Sequence, residues 1–346
     1  MPSSTSIHLV GSLAFDNEVQ VFNALASSLG TRAKRYPDGE TGERDTWIRC
    51  QRKVFETNPS LMLAEGRAGY RSETPLKLCR LRQGISLEAL SFPDLGYAVS
   101  ALKSYETFAR LKSQGVIGRN VRFQVALPTP TAVVTSFIVP EEREAIEPIY
   151  EREILRELAH ILSAIPGDEL AIQWDVCHEI LAHDGAFPLH YGDVLDGTAA
   201  RLARLSSKIP DDVELGVHLC YGDPGHKHIQ EPTDTRSAVL FANEMSSRIS
   251  RRLDWIHLPV PRDRGDDAFL SPLAGLRLQP HTELMLGLVH MTDGFEGTMH
   301  RVDVARKYAE RFGIATECGF GRRDPATMMP LMDLHVAVAE AIDARQ

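Results

Sequence analysis

The chain has 346 residues, of which 43% are hydrophobic and 25% charged, and a net charge of −9. This is the composition of a globular protein with room for one large α/β domain or two smaller ones. Nothing in the acidic balance suggests a nucleic-acid partner, which favours a basic patch, and no apolar run approaches the roughly 20 residues that cross a bilayer. The first residues, MPSSTSIHLVG, lack the basic and apolar regions of a signal peptide. Five cysteines, an odd number and widely spaced, argue against a disulfide framework. A cytoplasmic location with reduced thiols is the expectation.

Short apolar runs of strand length recur along the chain, each ending in polar or turn residues. They cover 7–13, 32–37, 121–128, 169–176, 214–221, 253–260, 283–290 and 313–320. Their apolar content is continuous rather than alternating, as in parallel strands buried on both faces. Helical patterns at 17–30, 140–166, 194–210, 235–252, 299–313 and 326–344 lie between most of them. Eight strands alternating with helices predict an α/β fold, a (β/α)8 TIM barrel, with a doubly wound open sheet as the alternative. Residues 38–120 are too long for one βα unit and predict an insertion after the second strand that partly covers the barrel mouth. Within it, 47–59 and 101–115 have helical patterns around a polar middle at 64–84. No internal repeat divides the chain, so residues 1–346 are expected to form a single domain.

A barrel of this kind carries its chemistry at the C-terminal ends of its strands. Read in turn, those ends supply Ser12, the acidic loop 36–45 with Asp38, Glu40 and Glu43, then Asp175 with Cys177, His178 and Glu179. His218 and Cys220 follow, then His257, His290, and Cys318 with Arg322 and Arg323. His218 and Cys220 are two apart on one strand, so they share a face. A histidine with two cysteines and one open position is the donor set of a catalytic zinc site. From spacing alone, buried structural thiols are the favoured reading. His226 and His228 follow a Gly turn and are expected at the surface.

The motifs taken together add a resemblance. The run 215-LGVHLCYGD-223 resembles the His-x-Cys-Tyr strand in the catalytic barrel of cobalamin-independent methionine synthase. The run 313-GIATECGFGRR-323 is similar to that family's late strand with its Cys-Gly pair. The stretch 170-LAIQWDVCHEI-180 resembles the strand whose Asp holds the amino-acid end of homocysteine, and 287-GLVHMTDG-294 the segment with a proton-donating histidine. The resemblance spans residues 121–340. It implies zinc on His218, Cys220 and Cys318, substrate contact at Asp175 and proton transfer at His290. Two departures stand out. Pro259 occupies the place of the family's ligating Glu, and the Asp-Glu-Pro triplet is Asp175-Val176-Cys177 here. The chain also resembles the zinc-dependent epoxyalkane–coenzyme M transferases, which activate a thiol in the same way.

The expected function is therefore alkyl or methyl transfer to a thiol bound to zinc as thiolate, with methyltetrahydrofolate a candidate methyl donor. Catalytic candidates are His290, Asp175 and Asp38, and substrate-binding candidates are Glu40, Glu179 and Arg322. Arg322 suits a carboxylate, sulfonate or phosphate. The small-molecule partner is a thiol or a carboxylate. The alternative is a metal-independent lyase or decarboxylase on the same barrel, as in uroporphyrinogen decarboxylase, with the acidic loop doing the acid–base work. A non-catalytic scaffold on the same fold is a third reading.

Overall fold

In the computed structural model, residues 4–67, 77–223 and 227–345 are described. The main sheet is parallel and seven-stranded. It contains β1 (Arg35–Pro37), β4 (Arg122–Pro128), β5 (Leu170–Val176), β6 (Glu214–Leu219), β7 (Trp255–Pro259), β8 (Glu283–Gly287) and β9 (Gly313–Ile314), in that spatial order. Between β1 and β4 an antiparallel pair, β2 (Leu61–Arg67) and β3 (Lys77–Leu81), stands apart from it.

The helices are α1 (Glu18–Ser28), α2 (Arg52–Glu56), α3 (Tyr97–Ser113), α4 (Pro130–Phe137), α5 (Arg143–Ala164) and α6 (His178–His183). They continue as α7 (Val194–Ser206), α8 (Arg236–Arg248), α9 (Asp267–Leu270), α10 (Gly294–Ala305) and α11 (Met328–Asp343). Most obey the local signals. Asn17 caps α1 by accepting from Gln20 N, and Asp193 caps α7 by accepting from Asp196 N. Helix α10 starts five residues earlier than the apolar period from 299 predicts, at Gly294 after the Thr-Asp turn. No helix among the described residues is long and apolar enough to cross a membrane.

The architecture is TIM-barrel-like. The sequence-predicted first strand, 7–13, differs from expectation. It lies against both edges of the sheet but makes isolated parallel bridges, Ile7 to Ile314, Leu13 to Phe320 and Ser12 to Gly39, instead of a ladder. The reason is local. The carbonyls of Leu9 and Val10 are taken by side chains, with Gln124 Nε2 donating to both at 2.8 and 2.9 Å and Gln173 Nε2 donating to Val10 O at 2.8 Å. A backbone whose acceptors are used by glutamines cannot also complete a strand ladder.

The N-terminal end of the sheet is filled by a stack. The Trp255 indole lies over Gly216 on the neighbouring strand, where a Cβ would sit 1.9 Å from Trp255 Cε2, so only glycine fits. The Arg35 guanidinium lies 4.0 Å from the indole centroid and pairs with Glu214 at 2.5 Å and Glu283 at 3.4 Å. Above the stack, Gln173 Oε1 accepts from His8 Nε2 at 3.0 Å and Trp255 Nε1 at 3.4 Å. Gln173 Nε2 reaches on to Asp175 Oδ1 at 2.9 Å. One buried glutamine thus ties the bottom of the sheet to the acid at its mouth.

Candidate metal centre and its surroundings

Strand β6 ends with His218 and Leu219, and the chain turns at Cys220. His218 and Cys220 face one way because their spacing is two. Cys318 arrives from the segment after β9, where Thr316 Oγ1 donates to the Cys318 carbonyl at 2.6 Å and holds a tight turn. The ligand-type atoms of His218, Cys220 and Cys318 all lie within 4.8 Å of one another, and the two sulfurs are 3.5 Å apart. His218 and Cys220 are buried, at 2% and 6% exposure. The sequence-predicted trio is therefore brought together.

The hydrogen bonds around His218 decide its tautomer. His257 Nε2 lies 3.0 Å from the Thr316 carbonyl, which can only accept, so that nitrogen carries the proton. Burial holds His257 down at about 3, so it is neutral and its Nδ1 offers a lone pair. His218 Nδ1 lies 2.6 Å from that atom and must donate to it. The remaining lone pair is on His218 Nε2, a buried atom with no hydrogen-bond partner. An unsatisfied, desolvated imidazole lone pair beside two thiols suits a metal ligand.

The thiols agree. Contact with Cys177, together with burial, holds the Cys220 thiol well above its ordinary range. Contact with Cys220 and then burial do the same for Cys318. Without a cation these sulfurs keep their protons, and a soft divalent metal is the partner that displaces them. The donor set fits zinc. Pro259, where the resemblance places a carboxylate ligand, ends β7 and supplies none.

Two carboxyl groups share the mouth beside this centre. Asp175, in register with His218, is buried and held well above the usual carboxylate range, first by burial and then by the charge of Glu40. Glu40 is pushed up to about 7, mainly by burial, with Asp38 adding to the rise and Arg44 and Arg322 opposing it. Glu40 reaches in over Gly11, where an added Cβ would sit 3.0 Å from Oε1. Glu40 and Trp47 both adopt positive φ, at 46° and 55°, which for non-glycine residues stores backbone strain at this rim.

The other sequence-predicted residues are placed as follows. Asp38 is buried and spends its oxygens on the loop, accepting from Glu40 N at 2.9 Å, Arg44 at 2.6 Å and Ser104 Oγ at 2.8 Å. Arg322 donates to the Asp223 carbonyl at 3.1 Å, and its charge acts on Cys318, Cys220 and Glu40. His290 donates Nε2–H to the Val260 carbonyl at 2.8 Å. Burial, reinforced by Arg301, lowers it to about 3. In that state its Nε2 proton is shared with the backbone. Glu179 turns away from the trio to Thr129 Oγ1, at 2.5 Å, in a separate polar cluster with Tyr191, Glu147 and Arg201.

One expectation is corrected. His228 is not at the surface. Its side chain is 3% exposed, bonded to Glu231 at 2.8 Å and facing Glu317 at 3.3 Å. Burial works against its charge, but those carboxylates outweigh it and raise its pKa. His226 lies outside the described residues. Cys177 and His257 were legible only as polar residues at strand ends; the structure sets them against Cys220 and His218. The signal was available, because 175-DVC-177 and 218-HLC-220 are like triplets at the ends of neighbouring strands.

No protein-family model matches the chain, and no curated protein matches it. Solved structures do. A B12-independent methionine synthase from Shewanella sp. W3-18-1, solved with selenomethionine, is similar at TM-score 0.67 and 16% identity over 99% of both chains. A putative vitamin-B12-independent methionine synthase from Listeria monocytogenes is similar at TM-score 0.58 and 13% identity, covering 98% of this chain and 99% of that one. A methyltransferase from Methanosarcina mazei is similar at TM-score 0.58 and 11% identity, over 99% and 95%. At these identities the likeness establishes a shared fold, that of methionine-synthase-like proteins.

Proposed function

We propose that this protein is a zinc-dependent transferase that moves a methyl or other alkyl group onto the sulfur of a small thiol. The observation that carries the reading is the buried trio His218, Cys220 and Cys318, with ligand atoms within 4.8 Å and an unpartnered lone pair on His218 Nε2. The neighbours, methionine synthases and a methyltransferase by their descriptions, support the same class.

When bound, zinc lowers the pKa of a coordinated thiol so that its sulfur is nucleophilic at neutral pH. The chain's own residues do the rest. His257 holds the His218 ring in its metal-binding tautomer. Asp175 and Glu40, two acids whose pKa values burial raises, form an anionic cradle when a cationic group enters beside them. That selects a thiol carrying an ammonium group, an aminothiol or amino-acid thiol. The selenomethionine in the Shewanella structure is an amino acid with the same ammonium group, its chalcogen already methylated. Arg322 sets the opposite charge beside the sulfurs. The methyl donor we favour is methyltetrahydrofolate, and His290 and the Asp38 loop remain the candidates for proton handling.

The test is elemental analysis of the purified protein followed by transfer assays. We expect near-stoichiometric zinc, loss of activity on chelation and recovery on zinc return, with aminothiols shifting thermal stability only in the zinc-loaded protein. Turnover that survives chelation but is lost in Asp38→Asn would replace this reading with the metal-independent lyase.

A further inference from the structure

The trio leaves one position of a tetrahedral metal unassigned, and Pro259 cannot fill it. We propose that Cys177 is the fourth protein ligand of the resting metal centre, the one an incoming substrate sulfur replaces. This rests on the reading of His218, Cys220 and Cys318 as a metal site.

The argument begins with strand register. β5 and β6 pair Asp175 with His218 and Val176 with Leu219. Cys220 N donates to Val176 O at 3.0 Å, which carries the alignment past the end of the ladder and sets Cys177 beside Cys220. Residues paired across parallel strands point to the same face, and alternation returns that face every second residue. Cys177 therefore follows Asp175 inward as Cys220 follows His218. Its side chain is 1% exposed and its thiol lies against the Cys220 thiol.

Local structure leaves Cys177 free to do this. It sits at the N-cap of α6 without a side-chain cap bond, so its sulfur has no structural duty there. Its carbonyl carries the helix, accepting from Leu181 N at 3.2 Å. The sulfur lies outside the compact trio, and a cysteine has one side-chain torsion with three staggered positions to bring it across. The nearby acids are not part of the compact group. Asp175 Oδ1 accepts from Gln173, and Glu40 packs over Gly11.

Charge gives the arrangement a rationale. Two thiolates and a neutral imidazole cancel a divalent cation, and a third thiolate makes the centre anionic. Arg322, whose charge bears on both Cys220 and Cys318, offsets that excess. A centre closed by four protein ligands protects its metal, but a substrate must then displace one of them. Cys177 lies just beyond the last residue of β5, so it leaves without breaking the ladder that holds Asp175 and His218.

X-ray absorption at the zinc edge of the zinc-loaded, full-length wild-type protein counts the sulfurs directly. We expect three sulfurs and one nitrogen at rest, and still three sulfurs after cysteamine is added, one sulfur having replaced another. Cys177→Ala should show two sulfurs at rest and three with cysteamine. Two sulfurs and a light atom in the resting wild type, or a Cys177–Cys220 disulfide in the zinc-loaded protein by mass spectrometry, overturns the role of Cys177 while leaving the trio intact. Failure to retain zinc at all overturns both. Should Cys177→Ala not fold, the wild-type sulfur count decides alone.

Discussion

The Nδ1 atoms of His218 and His257 face each other at 2.6 Å, and the far nitrogen of His257 is tied to the Thr316 carbonyl two residues before Cys318. One imidazole therefore links the two segments that carry His218 and Cys318. His257→Leu removes the acceptor and leaves a buried N–H unsatisfied, a cost of about 1–3 kcal/mol. It also frees the His218 ring to change tautomer. Zinc affinity, measured by chelator competition, should fall about 10- to 100-fold. Unchanged affinity would contradict the assigned tautomer.

Metal and fold stability should be linked through the trio. At free zinc about a thousand times its dissociation constant, binding contributes roughly 4 kcal/mol. Cys318→Ser should lower the thermal midpoint of the zinc-loaded protein to that of wild type in excess chelator. Addition of chelator to the variant should then change nothing, which calorimetry checks.

The carboxyl pair predicts a charge preference. Glu40→Gln should weaken the thermal response to cysteamine about tenfold, equivalent to roughly 1.4 kcal/mol, while leaving zinc content unchanged. An equal loss of response for a neutral thiol would remove the ammonium from the reading.

Glu179 sets an alkaline limit on stability. Burial raises its folded pKa from the ordinary 4.5 to about 7, and one oxygen has no partner. A raised acid binds its proton more tightly when folded. Its contribution is therefore fully present below pH ~4.5 and is lost as pH rises through about 7, amounting to about 3 kcal/mol. Glu179→Gln should flatten the decline in thermal midpoint between pH 5 and 8. A slope equal to wild type would place the proton elsewhere.

His335 sets an acid limit of opposite sign. It is buried in α11, donating from Nδ1 to Leu331 O at 2.7 Å, and burial lowers it from 6.5 to about 4. The neutral form is favoured in the fold, so its contribution is present above pH ~6.5 and lost as pH falls through about 4, again about 3 kcal/mol. In His335→Leu the stability difference between pH 6.5 and 4 should shrink by that amount, read from urea midpoints.

Much of the sheet was legible because buried parallel strands write continuous apolar runs, and β4 to β8 fall within the predicted stretches. The trio's residues were conspicuous for the same reason, and their reading as a metal set came from the family resemblance. Polar residues at the tips of apolar strands have no solvent to justify them, so His218, Cys220 and Cys318 stood out. What local sequence hid was partnership. Nothing in 7-IHLVGSL-13 reveals that its carbonyls are claimed by glutamines more than a hundred residues away. The burial of His228 likewise depends on Glu231 and Glu317, one of them distant in sequence. The pairing of Cys177 with Cys220 needed a register, which apolar periodicity does not specify.

The stack of Arg35, Trp255 and Gly216 closes the end of the sheet opposite the metal trio and touches none of its ligands. Its consequence is evolvability. A scaffold anchored at its floor can change the donors, acids and loops at its rim without losing its fold. Pro259, which ends β7 where the resemblance places a carboxylate ligand, is a rim position of that kind.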